Sequence, residues 1–294
     1  MSENWRHEYV ETNGIRMHYV TQGEGPLVVL LHGFPEFWYS WRHQIPALAE
    51  RFRVVAPDMR GYNETDKPDG VEHYQLSLLV ADIAGLIEAL GEKRAVVVGH
   101  DWGGGIAWAT AMQRPDVVER LIILNAPHLA VFQQHILKNP RQSARSWYMF
   151  FFQLPTIPES LLSLNHYVFI RRAFEGVLEN DEIDKYVEAI SQPGALTGGI
   201  NYYRANVSAE FLLGALGHPL EFPRITAPTL VIWGEEDAYL GRELIEGIEA
   251  YIDAPYTLRL IPDCGHWVQQ EKPELVNQYI LEFLDTVKSE QRET

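Results

Sequence analysis

The sequence predicts a mostly parallel, doubly wound α/β sheet interrupted by a helical insertion. Three observations predict it. Short β-branched apolar runs alternate with helical patterns from residue 27 to residue 125, and again after residue 228. Between about Pro127 and Pro223 the alternation stops, leaving helix-like segments and no convincing buried strand. The stretch from Arg94 to Gly105 reads as strand, sharp turn and helix, with Gly99 and Gly103 small enough to let the chain crowd around Asp101.

Taken in order, His7 to Thr12 and Ile15 to Thr21 are two strands of a hairpin around Asn13-Gly14. Leu27 to Leu31 is a continuous apolar run of the kind buried on both faces, and it ends in His32-Gly-Phe-Pro-Glu36. Trp38 to Glu50 reads as a helix and Arg53 to Pro57 as a strand followed by a loop. Leu76 to Leu90 is an amphipathic helix closed by Gly91. The Asp101 turn follows, then a helix from Ile106 to Gln113 and a buried strand from Val118 to Asn125. After the insertion, strands at Thr229 to Trp233 and Tyr256 to Ile261 flank a helix near Arg242 to Ile252. A last helix runs from Pro273 to about Lys288. The expected division is a core of residues 1–127 and 224–294 and a cap of residues 128–223. The cap is rich in aromatics, and ligands of such sheets bind beyond the carboxyl ends of the strands, so it should enclose an apolar pocket there.

Composition narrows the partners. A formal charge of −16 argues against nucleic acid and anionic membranes. A single cysteine, Cys264, excludes an intrachain disulfide framework and fits a reducing cytoplasm. The first eight residues carry no apolar leader segment, and no run is long and apolar enough to span a bilayer. The acidic run from Glu175 to Glu188 reads as a solvated helix face.

The chemistry starts at the turn, which presents Asp where the related elbow presents Ser. A carboxylate is a poor acyl nucleophile but can displace a leaving group from saturated carbon, leaving an ester that water cleaves. The alternative for Asp101 is a helix-capping residue in a Gly-rich turn. Asp237 follows the strand ending at Trp233, with Glu235, Glu236 and Asp253 as rivals, and His266 follows the last strand. The order nucleophile, acid, histidine is that of the α/β-hydrolase fold. His266 would take a proton from water, so it should begin neutral, with Asp237 orienting it. The backbone N–H groups of Phe34 and Trp102 are placed to form an oxyanion hole. A leaving oxygen also needs an acid, and a neutral tyrosine of the cap can supply one; Tyr148 and Tyr203 are candidates among fourteen tyrosines.

These residues resemble one family, the soluble epoxide hydrolases of the α/β-hydrolase fold. The resemblance covers nearly the whole chain. It rests on His32-Gly-Phe-Pro-Glu-Phe-Trp-Tyr-Ser-Trp-Arg42, Gly99-His-Asp-Trp-Gly-Gly104, Tyr148 with Phe152-Gln-Leu-Pro155, Gly199-Ile-Asn-Tyr-Tyr-Arg204, Gly234-Glu-Glu-Asp237 and Gly265-His-Trp267. It implies Asp101 as nucleophile, His266 as base, Asp237 as acid, and Tyr148 and Tyr203 as the pair that binds and protonates the epoxide oxygen. Phe34, Trp102, Met149 and Phe151 are expected to contact substrate. Met149 stands where the mammalian soluble enzyme has Gln, which makes the pocket less polar. The implied partners are a small-molecule epoxide and water, with no cofactor and no metal, and the implied state is a monomer or homodimer.

Two rivals use the same nucleophile. A haloalkane dehalogenase wants a second side-chain N–H donor for halide after His-Gly, where Phe34 has none. A haloacetate dehalogenase wants arginines after the nucleophile, where this chain has Trp102 and Gly105, and an acid where it has Asn125. A non-catalytic small-molecule receptor of the same fold is the third alternative. An acyl esterase is disfavoured, because no Gly-x-Ser-x-Gly elbow exists.

Overall fold

The computed structural model describes residues 5–216 and 220–290. Residues 1–4, half of the N-terminal stretch expected to carry no apolar leader, residues 217–219 of the expected cap and residues 291–294 of the expected core lie outside the described residues. Among the described residues, eight strands form one sheet in the order β1-β2-β4-β3-β5-β6-β7-β8. They are β1 (Arg6–Thr12), β2 (Ile15–Gln22), β3 (Leu27–Leu31), β4 (Arg53–Pro57), β5 (Ala95–His100), β6 (Val118–Leu124), β7 (Thr229–Gly234) and β8 (Tyr256–Ile261). β1 and β2 pair antiparallel, β2 pairs antiparallel with β4, and every pairing from β4 to β8 is parallel. The chain is thus an α/β-hydrolase fold, as predicted.

The reasons are local. Asn13 and Gly14 both take positive φ (45° and 77°), the turn whose twist matches a tight hairpin. β3, β5 and β7 are buried at every position, and β6 at all but Glu119, which is why they read as unbroken apolar runs. Helices α1 (Gln44–Ala49), α2 (Leu76–Ala89) and α3 (Trp102–Gln113) cover the first half of the sheet.

Between β6 and β7 come α4 (Leu129–His135), α5 (Pro140–Arg145), α6 (Trp147–Phe151), α7 (Ile157–Leu162), α8 (Leu164–Ala173), α9 (Asn180–Ser191), α10 (Ala195–Asn206) and α11 (Ala209–Ala215). After β8 come α12 (Val268–Glu271) and α13 (Pro273–Glu290). The insert between β6 and β7 joins the core through polar contacts that are buried or half-buried. Tyr202 donates to the Arg60 carbonyl at 2.8 Å, and Asn206 accepts from the Leu76 N–H at 2.8 Å.

Several expected elements differ. The stretch from Trp38 to Glu50 is a 3₁₀ turn (Trp38–Trp41) and then α1, separated at Arg42 and His43. Pro46 sits within the first turn of α1, where its missing N–H costs no helical bond. The segment from Arg242 to Ile252 is two 3₁₀ turns (Arg242–Ile245 and Ile248–Tyr251), because Gly247 takes φ 81° between them. α3 begins at Trp102, four residues earlier than expected. The acidic run is not simply solvated: Glu182 pairs with Arg42 at 2.7 Å, and the Arg42 side chain is only 7% exposed.

His128 opens α4. Its ring accepts the Ala130 N–H at 3.3 Å, stacks on Tyr251 with centroids 4.5 Å apart, and is fully buried. Burial in this apolar nest pushes its pKa from 6.5 down to about 4. The unfolded chain therefore takes the proton first as pH falls, and the contribution to stability is complete above about pH 6.5 and lost on the way down to about pH 4. In urea titrations at pH 7 and pH 4, His128→Asn, which can still cap the helix, should lose about 3 kcal/mol less stability across that interval than the parent.

Candidate active site

β5 ends in a turn that no ordinary residue prefers. Asp101 takes φ 51° and ψ −122°, and α3 starts at the next residue. The turn is this sharp because backbone crowds it on both sides. A Cβ on Gly103 would collide with the Leu31 carbonyl of β3, and one on Gly33 would collide with the Asp101 side chain itself. Asp101 occupies the capping position of α3 but makes no side-chain cap hydrogen bond, so the helix-cap alternative does not hold. Its carboxylate points away from the helix: Oδ1 accepts the Phe34 N–H at 2.9 Å, and Oδ2 lies 3.6 Å from His266 Nε2.

Behind His266 stands Asp237. His266 Nδ1 donates to Asp237 Oδ2 at 2.7 Å. The other oxygen, Oδ1, accepts the N–H groups of Tyr239 (2.7 Å) and Leu240 (2.8 Å). Asn125, at the end of β6, donates to Oδ2 at 2.7 Å and accepts the Gly234 N–H at 2.9 Å. Of the rival acids, Glu235 pairs with Arg242 and Asp253 with Arg224, at 2.5 and 2.6 Å.

The electrostatics follow from burial opposed by pairing. Burial alone would raise the Asp101 carboxyl, but the hydrogen bond and charge of His266, with His100 and the Phe34 N–H, hold it below its ordinary value. The same opposition leaves Asp237 depressed, through His266, Asn125 and the Leu240 N–H. Burial disfavours the charged imidazole, yet the two carboxylates push His266 up to about 10. The resting ring is therefore protonated at neutral pH, contrary to the expectation that it begins neutral.

The His32-Gly-Phe-Pro loop is anchored from below. His32, neutral because burial lowers its pKa, accepts the Met59 N–H at 3.0 Å and donates to the Gly33 carbonyl at 2.9 Å. Glu36 is buried and reaches four partners. One oxygen accepts the Gly33 N–H (3.1 Å) and pairs with His100 Nδ1 (2.8 Å). The other accepts from Gln269 (3.1 Å) and Gln270 (2.8 Å). The second nitrogen of His100 donates to the His266 carbonyl at 2.9 Å. One buried carboxylate thus ties the Phe34 loop, the residue before Asp101 and the chain around His266 into one unit. The Trp102 N–H is the first of α3, adjoining Asp101 in the chain.

Asp101 lies on the walls of two apolar cavities. One, of about 310 Å³, is lined among others by Phe34, Tyr148, Phe151, Tyr203, Tyr239 and His266. The other, of about 250 Å³, is lined by Trp102, Met149, Phe132 and Phe222. The expected contact residues therefore divide, with Phe34 and Phe151 in the first cavity and Trp102 and Met149 in the second. The Tyr148 and Tyr203 rings meet edge to face, 5.7 Å apart. Burial and the nearby acids push both phenols well above 10, so both are protonated at neutral pH. Tyr202, the neighbour in sequence, is turned onto the Arg60 carbonyl instead.

The two tyrosines are held in register by their motifs. Gln153 donates to the Tyr203 carbonyl at 3.1 Å. Arg204 donates to the Phe152 carbonyl (2.9 Å) and the Leu154 carbonyl (2.7 Å), and pairs with Glu159 at 2.6 Å. Sequence reasoning missed Glu36, His100, Asn125 and Tyr239. A lone acid inside the apolar, aromatic run after His-Gly-Phe-Pro was the available signal for Glu36; nothing local marks the others. Among the described residues, no cluster of three or more His, Cys, Asp or Glu could hold a metal ion, and no helix is long and apolar enough to cross a membrane.

Asp101→Asn removes one of the two charges that hold the imidazolium. Following the ring by NMR titration, the His266 midpoint should fall from about 10, by about 1–3 pH units. An unchanged midpoint would mean that Asp237 alone sets it.

Comparison with known proteins places the chain in a family. The α/β hydrolase fold family matches residues 26–273. Epoxide hydrolase 4 of Mus musculus is 42% identical over 94% of this chain and 78% of its own length. The AB hydrolase superfamily protein YfhM of Bacillus subtilis is 41% identical over 94% of this chain and 97% of its own. Among solved structures, a Bacillus megaterium epoxide hydrolase in complex with an inhibitor superposes with a TM-score of 0.87 at 34% identity, covering 95% of this chain and all of the other. On fold and sequence together, the chain belongs to the epoxide hydrolase family of the α/β-hydrolase fold.

Proposed function

We propose that this protein hydrolyses epoxides to vicinal diols through a covalent ester on Asp101. One observation carries the reading: a carboxylate nucleophile and two protonated phenols, Tyr148 and Tyr203, face one apolar cavity, with an Asp-oriented imidazole beside them. A serine at that turn would favour acyl transfer; a carboxylate with no general acid would suit a halide. The pair of phenols is what an epoxide oxygen needs, since it leaves as an alkoxide.

In this mechanism residues 128–223 act as a cap that supplies the acids, and the core supplies nucleophile and base. Tyr148 and Tyr203 bind the epoxide oxygen. Asp101 Oδ2 attacks one ring carbon; the C–O bond to that carbon breaks, and a tyrosine gives its proton to the departing oxygen. Alkylation discharges Asp101, so His266 keeps only one of the carboxylates that made it basic. Its proton then returns the phenolate to phenol, and the ring becomes the neutral base that the second step needs. Water, losing a proton to His266, adds to the ester carbonyl. Negative charge develops on Oδ1, already in contact with the Phe34 N–H, with the Trp102 N–H as its second donor. Collapse breaks the ester bond, the hydroxyl delivered by water passes its proton to the departing alkoxide, and the diol leaves with the Asp101 carboxylate and the His266 imidazolium restored.

The deciding measurement is a single turnover of styrene oxide in oxygen-18 water. The first diol should carry no heavy oxygen, which should enter the Asp101 carboxylate and appear in diol only at the next turnover. Heavy oxygen in the first diol would overturn the ester intermediate, and halide release from haloalkanes without any diol would overturn the substrate class. His266→Gln should accumulate the Asp101 ester, visible as intact-mass gain. Tyr148→Phe with Tyr203→Phe should slow ester formation by about 10²–10⁴-fold, the usual worth of general acid catalysis.

A further inference from the structure

The paired tyrosines and the Asp237 loop lie on different parts of the fold, yet the two steps of the proposed reaction need both in register with Asp101. One buried side chain bonds both to the residue that precedes the Tyr148 helix and to the loop that follows Asp237. Gln142, on α5, is fully buried. Its Nε2 donates to the Tyr239 carbonyl (2.9 Å) and to the Ser146 hydroxyl (2.9 Å). Its Oε1 accepts the Gly241 N–H at 2.9 Å. The partners fix the amide orientation: flipped, it would set two donors against each other at Gly241 and two acceptors at Tyr239.

Each contact has a direct line to the chemistry. The Tyr239 carbonyl and the Leu240 N–H are the two ends of one peptide group, and that N–H donates to Asp237 Oδ1 at 2.8 Å. Gln142 therefore grips the far side of the peptide that holds Asp237, and polarisation along such a chain strengthens each bond in it. On its other side, Ser146 is the residue from which α6 starts, and α6 carries Tyr148. Two further contacts pin α5 to the same region: Asn139 donates to Glu243 at 2.8 Å, and the Asn139 side chain caps α5 through the N–H groups of Arg141 and Gln142.

We infer that Gln142 is a positioning residue for catalysis, locking the Tyr148 helix and the Asp237 loop into one register so that ring opening and ester hydrolysis share a single geometry. It touches no reacting atom. The inference rests on the assignment of Asp101, Tyr148, Asp237 and His266 proposed above.

The test is Gln142→Met, which keeps volume and removes every hydrogen bond, with Ser146→Ala as the second variant. Quench-flow with intact-mass detection reads ester formation and ester hydrolysis separately on styrene oxide. Gln142→Met should slow both steps by about tenfold, the loss expected when buried polar groups lose their partner. Its pH profile for ester hydrolysis should move as well. Ser146→Ala, which cuts only the tie to α6, should slow ester formation alone, by about threefold. In the far-downfield proton spectrum, the His266 Nδ1–H resonance should shift in Gln142→Met and stay in Ser146→Ala. A Gln142→Met protein with native circular dichroism, both rates within about twofold of the parent and an unmoved resonance overturns the inference. If Gln142→Met does not fold, equal slowing of both steps by Ser146→Ala, or of neither, overturns it instead. A parent protein that forms no ester overturns the proposed function; the resonance then still decides whether Gln142 sets the Asp237–His266 pair.

Discussion

A buried strand that ends on a charged residue with positive φ is unfavourable twice over. The backbone conformation of Asp101 costs of order 1–3 kcal/mol, and its carboxylate sits among apolar rings. Both costs are local, and most of the surrounding structure offsets them. Gly103 lets α3 approach β3 closely enough to hold the turn. The Phe34 N–H and the imidazolium of His266 balance the charge. Asp237 in turn balances the imidazolium, and its own remaining lone pairs are met by Asn125, Tyr239 and Leu240. A buried trio of two anions and one cation is tolerable because each member is hydrogen-bonded as well as paired. The trio keeps one net negative charge.

The helical insert belongs to this balance and is not a mere cover. Arg204 and Gln153 fix the spacing of the two phenols from within the insert, while Tyr202 and Asn206 fix the insert to the core. Phenols at such depth cannot ionise readily, so they remain donors across the range in which the carboxylates stay anionic. Protonated phenols and a carboxylate therefore coexist at neutral pH on the wall of a cavity that is otherwise mostly apolar, as the proposed reaction requires.

What the sequence displayed and what it concealed divide along physical lines. β3, β5, β6 and β7 were legible because burial on both faces leaves an unbroken apolar run. Asp101 and Asp237 stood out as candidates because each follows such a run in a turn rich in small or acidic residues, and His266 because it lies in a short turn after the last, less buried strand. Tyr148 and Tyr203 were not distinguishable from other aromatics by pattern, and only the resemblance singled them out. Glu36 and His100 were hidden because their partnership spans 64 positions and exists only once β3 and β5 lie side by side. The helix expected from Arg242 to Ile252 failed because periodicity does not register the single positive-φ residue, Gly247, that breaks it. Asn125 sat at a strand end where an acid was sought, and only its distance to Asp237 shows that it serves the acid without being one.

β6 and β7 are neighbours in the sheet, yet the whole insert lies between them in the chain. Asp101 belongs to the part made before that interruption, and Asp237 and His266 to the part made after it. During synthesis, the β5 strand and its turn can form while the ring that neutralises Asp101 is still 165 positions away in unfinished chain. Sheet closure by β7 and β8 is then the event that turns a strained, unpaired carboxylate into a paired one. Long-range closure of this sort carries a larger entropic cost than the hairpin at the other edge. The β1–β2 edge, where contacts are local, is therefore the edge of lower closure cost, and the edge that brings Asp237 and His266 to Asp101 the one of higher cost.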